Sequence, residues 1–119
     1  MNEKTSNRRS DCPLSCWLEI FGDKWTLLII RDIFAFNKIN YKDFLGSNEG
    51  ISTNILADRL KKLVEAGIVT REVDANNKLL INYNLSKKGR DMEPIFREIA
   101  KWAKIYIPDT KPIEQFEDA

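Results

Sequence analysis

The sequence predicts a mostly helical α+β domain with one β-hairpin, and three observations predict it. Apolar residues recur at helical spacing in several separate stretches; one stretch, "IVTREVDANNKLLINYNLS", switches to alternation; and Gly, Ser, Asn and Pro fall at the borders between them. With 119 residues the chain can close a single hydrophobic core and has no room for a second.

The first helix is expected from about Pro13 to Phe21, where Leu14, Trp17, Leu18 and Phe21 share a face. Ser10 or Asp11 can cap it, and Pro13 suits a first turn because its missing N–H would have no partner there. Gly22 and Asp23 interrupt the pattern. "KWTLLIIRDIFAF" follows, apolar on nearly every side, and reads as the buried central helix. After Asn37 and Lys38 a short helix from about Tyr41 to Leu45 ends at Gly46. "ISTNILADRLKKLVEAG" is the clearest helix of the chain, capped by Ser52 or Thr53, stopped by Gly67, with Leu56, Leu60 and Leu63 facing in. Asn54, Ala57, Asp58, Lys61 and Glu65 then face out.

The alternating stretch places Leu79, Ile81, Tyr83 and Leu85 on one face of a hairpin, and "DANNK" supplies its turn. From about Ser86 a last long helix carries Met92, Ile95, Phe96, Ile99, Trp102 and Tyr106 on one stripe. Pro94 either kinks it or marks where its regular part begins. Pro108 and Pro112 end the order. The chain therefore divides into a flexible arm over 1–11, one domain over 12–107 and a flexible acidic tail over 108–119.

A short helix, a Gly-containing turn, a longer helix and a hairpin make the winged helix-turn-helix plan. In that plan the longer helix enters a DNA major groove and the hairpin reaches the flanking backbone. Thr53, Asn54, Asp58 and Lys61 are the base-reading candidates. Lys42, Lys62, Lys78, Lys87 and Lys88 are placed for phosphates. Asp58 and Glu65 on the same helix oppose indiscriminate electrostatic binding. The net charge of +1 hides an asymmetry, since from Pro108 onward Asp109, Glu114, Glu117 and Asp118 against Lys111 give −3 and leave +4 for the rest. A mildly basic body permits an anionic partner without requiring one. A winged helix that binds another protein, and not DNA, fits the same pattern.

Composition excludes other classes. The chain is 43% hydrophobic and 31% charged, which reads as an ordinary globular domain. No apolar run has the length of a membrane span, and "MNEKTSNRRSD" is too polar for a secretory signal, so a cytoplasmic location is expected. With no histidine, two cysteines cannot complete a zinc site within one subunit, and no nucleophile has a base beside it. Neither a metal, a cofactor nor an enzymatic activity is expected.

More specific pieces occur in order: "CP" at Cys12-Pro13, "GDKWTLLIIRDI" from Gly22, "GISTNILADRLKKLVEAGIVTR" from Gly50, "NYNLSKKG" from Asn82, and the helical Trp102. On these pieces the chain resembles the HxlR-type winged helix-turn-helix family of bacterial transcriptional regulators, over roughly Cys12 to Tyr106. The resemblance implies a homodimer joined through its first and last helices, each subunit reading half of an inverted-repeat operator with the helix after Ser52. Leu14, Trp17, Ile95, Ile99, Trp102 and Tyr106 are the dimer candidates. The last four also suggest it independently, as a stripe too long for one subunit to cover. Two departures bear on the operator: Asn54 stands where many members carry a basic residue, and the wing "DANNKLL" lacks the prolines often found there.

Cys12 and Cys16 remain to be placed. Their i and i+4 spacing on one helix does not favour a disulfide between them. Cys12 stands at a helix start, where the positive end of the dipole favours thiolate, and Arg8 and Arg9 are close in sequence. In several relatives of the resembled family an N-terminal cysteine matching Cys12 senses oxidants or electrophiles, while in others it has no redox duty. Both readings of Cys12 stay open, with an electrophile or other small molecule as the effector class. Cys16, one turn further in, reads as a small buried residue.

Overall fold

The structure, a computed structural model, describes residues 8–116. In chain order it contains α1 (Pro13–Phe21), α2 (Thr26–Phe36), α3 (Tyr41–Leu45), α4 (Thr53–Glu65), β1 (Val69–Val73), β2 (Ile81–Leu85), α5 (Lys87–Arg90), α6 (Glu93–Tyr106) and a 3-10 turn at Glu114–Phe116. This is the mostly helical fold with one hairpin that the periodicities indicate.

Each boundary has a local cause. Pro13 occupies the first turn of α1, and the N-cap is Cys12 instead of Ser10 or Asp11. Ser10 Oγ accepts the Cys12 N–H at 3.2 Å, so it serves the residue before the helix. The Asp23 carboxylate accepts the N–H groups of Trp25 at 2.9 Å and Thr26 at 3.1 Å, which fixes where α2 begins. Asn37, at φ 52°, ends α2 in the left-handed conformation that asparagine tolerates. Asn40 and Asp43 form a reciprocal capping box on α3. Ser52 caps α4 through Ile55 N–H, leaving Thr53 as the first helical residue.

The core gathers Ile29, Ile30 and Ile33 of α2, Phe44 of α3, and Leu56, Leu60 and Leu63 of α4, closed by Val69, Tyr83 and Leu85 of the hairpin and Phe96 of α6. The strands pair antiparallel from Val69 opposite Leu85 to Val73 opposite Ile81. Tyr83 N–H also donates to Ile39 O at 2.7 Å, joining the hairpin to the segment before α3.

Three expectations need correction. Leu79 does not sit on the inner face of the hairpin; it is 94% exposed. The Asp74 carboxylate takes the N–H groups of Asn76 and Asn77, and Asn77 Oδ1 takes that of Leu79, so these side chains use the donors a longer ladder would need. The single long helix expected from Ser86 is two pieces: α5 is capped by Ser86, and Asp91 and Met92 separate it from α6. Pro94 lies in the first turn of α6, so of its two readings the start of the regular part is the one that holds. Third, the tail after Pro108 is docked in the part described here. The chain turns at Asp109, with φ 65°, and brings Phe116 back to 3% exposure. Phe116 stacks on Phe96 at 5.3 Å and meets Phe34 edge-on at 5.8 Å, with Ile113 packed beside the core. The aromatic contact outweighs the two prolines. The expected arm over 1–11 lies outside the described residues as far as residue 7. Beyond it, Arg8 pairs with Asp11 at 3.4 Å and Arg9 N–H donates to Glu19 at 3.1 Å.

Candidate nucleic-acid interface

The surface of α4 follows from its helical period. Leu56, Leu60 and Leu63 are buried, whereas Thr53, Asn54, Ala57, Asp58 and Lys61 are exposed side by side. All four base-reading candidates therefore reach solvent on one face. Ala57, Lys61 and Glu65 line a hollow of about 430 Å³ with Tyr41 of α3 and with Arg71 and Tyr83 of the hairpin. Arg71 on β1 is thus an additional cation beside α4. The sequence carried no signal for it beyond strand alternation, which does not say what a strand stands next to.

The phosphate candidates separate into two groups. Lys42 on α3 and Lys78 on the hairpin loop are exposed. Lys62 holds Asp58 at 3.3 Å. Lys88 is committed to the fold, its ammonium donating to Ala66 O at 2.7 Å at the end of α4, and Lys87 pairs with Asp91 at 2.9 Å. Asp58 is held below the usual carboxylate range by the Lys62 hydrogen bond, which together with Arg59 outweighs the opposing effect of desolvation. Its charge is thereby balanced on the helix, which softens the repulsion of phosphate expected from the sequence.

Two ionic clamps set the attitude of this helix pair. Arg59 Nε donates to Asp23 at 2.8 Å, so the carboxylate that starts α2 also grips α4. Burial pushes the Asp23 carboxyl up, but hydrogen bonds from Thr26, Arg59 and the Trp25 and Thr26 N–H groups outweigh it and hold the group well below the usual range. Arg31 of α2 donates two hydrogen bonds to Glu49, at 2.8 and 2.9 Å, and two more to Asp32, at 3.0 and 2.7 Å. Asp32 in turn accepts from Ser47. The α3–α4 turn is thus tied to α2 by charge-assisted bonds at Ser47 and Glu49. Arg31 brings the Glu49 carboxyl down to about 2.

The dimer candidates lie on α1 and α6. Leu14, Ile95, Ile99, Trp102 and Tyr106 are exposed, and Ile105 joins them at 66%. Trp17 is half-buried and stacks on Phe21 at 4.8 Å, so part of it belongs to its own core. Cys12 is exposed at the start of α1; Cys16 is partly buried, with its thiol on Ser10 O at 3.4 Å. Among the described residues no group of His, Cys, Asp and Glu is arranged to hold a metal, and no helix is long and apolar enough to cross a membrane.

Residues 20–111 match the HxlR-like helix-turn-helix family. YvaP of Bacillus subtilis, described as an uncharacterized HTH-type transcriptional regulator, is 29% identical over 102 residues, covering 85% of this chain and 94% of that one. The crystal structure of PA1607 superposes with a TM-score of 0.75 at 36% identity, over 89% of this chain and 74% of the other. YodB of B. subtilis, an HTH-type transcriptional regulator, is 31% identical over 77% of this chain and 82% of its own. Its quinone-bound crystal structure superposes with a TM-score of 0.65 over 80% of this chain and 99% of that chain.

Proposed function

The chain belongs to the HxlR-like helix-turn-helix family, and we propose that this DNA-binding transcriptional regulator acts as a homodimer on an inverted-repeat operator, with α4 in the major groove. The carrying observation is the division of α4. Thr53, Asn54, Ala57, Asp58 and Lys61 form a continuous exposed face over a buried leucine stripe, flanked by Arg71 of the hairpin. Asn54 suits an adenine edge, Lys61 beside it suits a base acceptor, and Lys42, Lys78 and Arg71 suit phosphates. The exposed apolar side chains of α1 and α6, Leu14 at 64% and Trp102 at 59% among them, support pairing through these helices. A twofold axis there would set two copies of α4 toward successive major grooves.

The test uses duplexes from the gene's own upstream region in a mobility-shift assay. Asn54→Ala with Lys61→Ala should weaken specific binding by about 2–4 kcal/mol while the fold, read by circular dichroism, is kept. Equal binding by this variant and the parent, or a parent that does not prefer its own region to bulk DNA, would overturn the reading. Sedimentation should give twice the chain mass, and Trp102→Glu should return it to one.

The exposure of Cys12 supports a second element, a response to electrophiles. YodB has been crystallised with quinone bound. The Cys12 sulfur, as thiolate, would add to a ring carbon of a quinone, forming one S–C bond. The ring C=C electron pair moves onto one oxygen, which takes a proton from solvent, and the hydrogen of the attacked carbon shifts to the second oxygen, giving a hydroquinone thioether. Changed packing of α1 against a partner subunit would then alter the spacing of the two reading helices. Benzoquinone should lower operator affinity in the parent and leave Cys12→Ser unaffected. A response that survives Cys12→Ser refutes the assignment.

A further inference from the structure

A second hollow lies away from the α4 face. It measures about 380 Å³ and is enclosed by the start of α2, the inner side of α6 and the returning segment 110–116. That volume is within the range of small-molecule sites. Its depth has a sequence cause. Phe96, Ile99, Ala100, Ala103 and Lys104 of α6 line it, Ile99 from the edge of the exposed stripe, and the short side chains of Ala100 and Ala103 leave room between Leu27 and Phe116. The docked aromatic Phe116, stacked on Phe96, keeps the wall in place.

Of the charged groups around this hollow, Asp23 is engaged by Arg59, and Arg31 is offset by Asp32 and Glu49. Lys24 and Lys111 also line it, both exposed, with Lys24 over the Trp25 ring at 5.2 Å. An apolar interior under a positive mouth complements a molecule with an apolar body and one anionic head.

We propose that the hollow between α2, α6 and segment 110–116 binds an amphipathic organic anion, its apolar body against Leu27, Ala100, Ala103 and Phe116 and its carboxylate at Lys24 and Lys111. The site is assembled within one subunit and is separate from Cys12, which does not line it. Its Asp23 wall is the partner of Arg59, so occupancy would be felt at the clamp on α4.

The full chain is titrated with 8-anilinonaphthalene-1-sulfonate, and the dye is competed with octanoate, octanol and octylamine. Octanoate should displace the dye best and octylamine least. Ala100→Leu fills the space and should weaken dye and octanoate binding about tenfold with an unchanged circular dichroism spectrum. Lys24→Glu with Lys111→Glu, which changes only surface side chains, should weaken octanoate about fivefold while leaving octanol where it was. Equal competition by all three compounds would overturn the assignment of an anionic ligand. Octanoate affinity unchanged in both variants would overturn the location. No DNA enters these measurements, so they stand or fall apart from the operator reading.

Discussion

Phe116→Ala tests whether the returning segment is part of the core. Truncating a fully buried phenylalanine costs about 3–5 kcal/mol where the surroundings cannot collapse. Here the surroundings can move: among the described residues the 3-10 turn is held by the bond from Phe116 N–H to Ile113 O at 2.9 Å, by the aromatic contacts with Phe34 and Phe96 and by Ile113 beside the core. The segment should therefore undock without leaving a sealed cavity, at a cost of about 2–3 kcal/mol from the apolar area returned to water. For a chain of this size that corresponds to roughly 10 °C in Tm. Thermal unfolding followed by circular dichroism, at one fixed protein concentration so that any dimer contribution is held constant, reads it directly. Adding Ile113→Ala should lower Tm little further, because both residues act through docking of the same segment. A shift below about 2 °C for Phe116→Ala would refute the reasoning and return the tail to the mobile status its composition suggests.

Gly89→Ala should destabilise despite the higher helix propensity of alanine. A Cβ there would overlap the Ile68 carbonyl oxygen and lie 2.9 Å from Leu85 Cδ2, a cost of roughly 1–3 kcal/mol that a raised Tm would contradict. Glu49, lowered from its ordinary 4.5 to about 2 by Arg31, contributes stability that is complete above pH 4.5 and fades as pH falls toward 2. Glu49→Gln should accordingly show a shallower loss of Tm across that acid window than the parent, and parallel pH profiles would refute the clamp.

How much of this was legible in the sequence depends on the range of each interaction. Repeating local patterns, such as Leu56, Leu60 and Leu63 on α4 or the alternation ending in Tyr83 and Leu85, announce their elements because a helix or strand imposes its period on neighbours. The outward face of α4 was legible for the same reason. Arg59 and Asp23, 36 residues apart, were not, since nothing in either neighbourhood marks two charges as partners. The triad of Arg31, Asp32 and Glu49 was hidden likewise. Leu79 was misread because strand alternation and turn chemistry overlap at that point, and the Asx hydrogen bonds of Asp74 and Asn77 win. The return of Phe116 was hidden by its setting, a polar stretch with two prolines in which two apolar side chains suffice to dock the chain.

The partition of α4 bears on how such a regulator could change its target over time. Residues that hold the helix, Leu56, Arg59, Leu60 and Leu63, are distinct from those that face outward, Thr53, Asn54, Ala57, Asp58 and Lys61. On the proposed reading, drift in the outward set would alter what is read at little cost to folding, because none of those side chains is buried. New operators would then be reachable by single substitutions through intermediates that all remain folded.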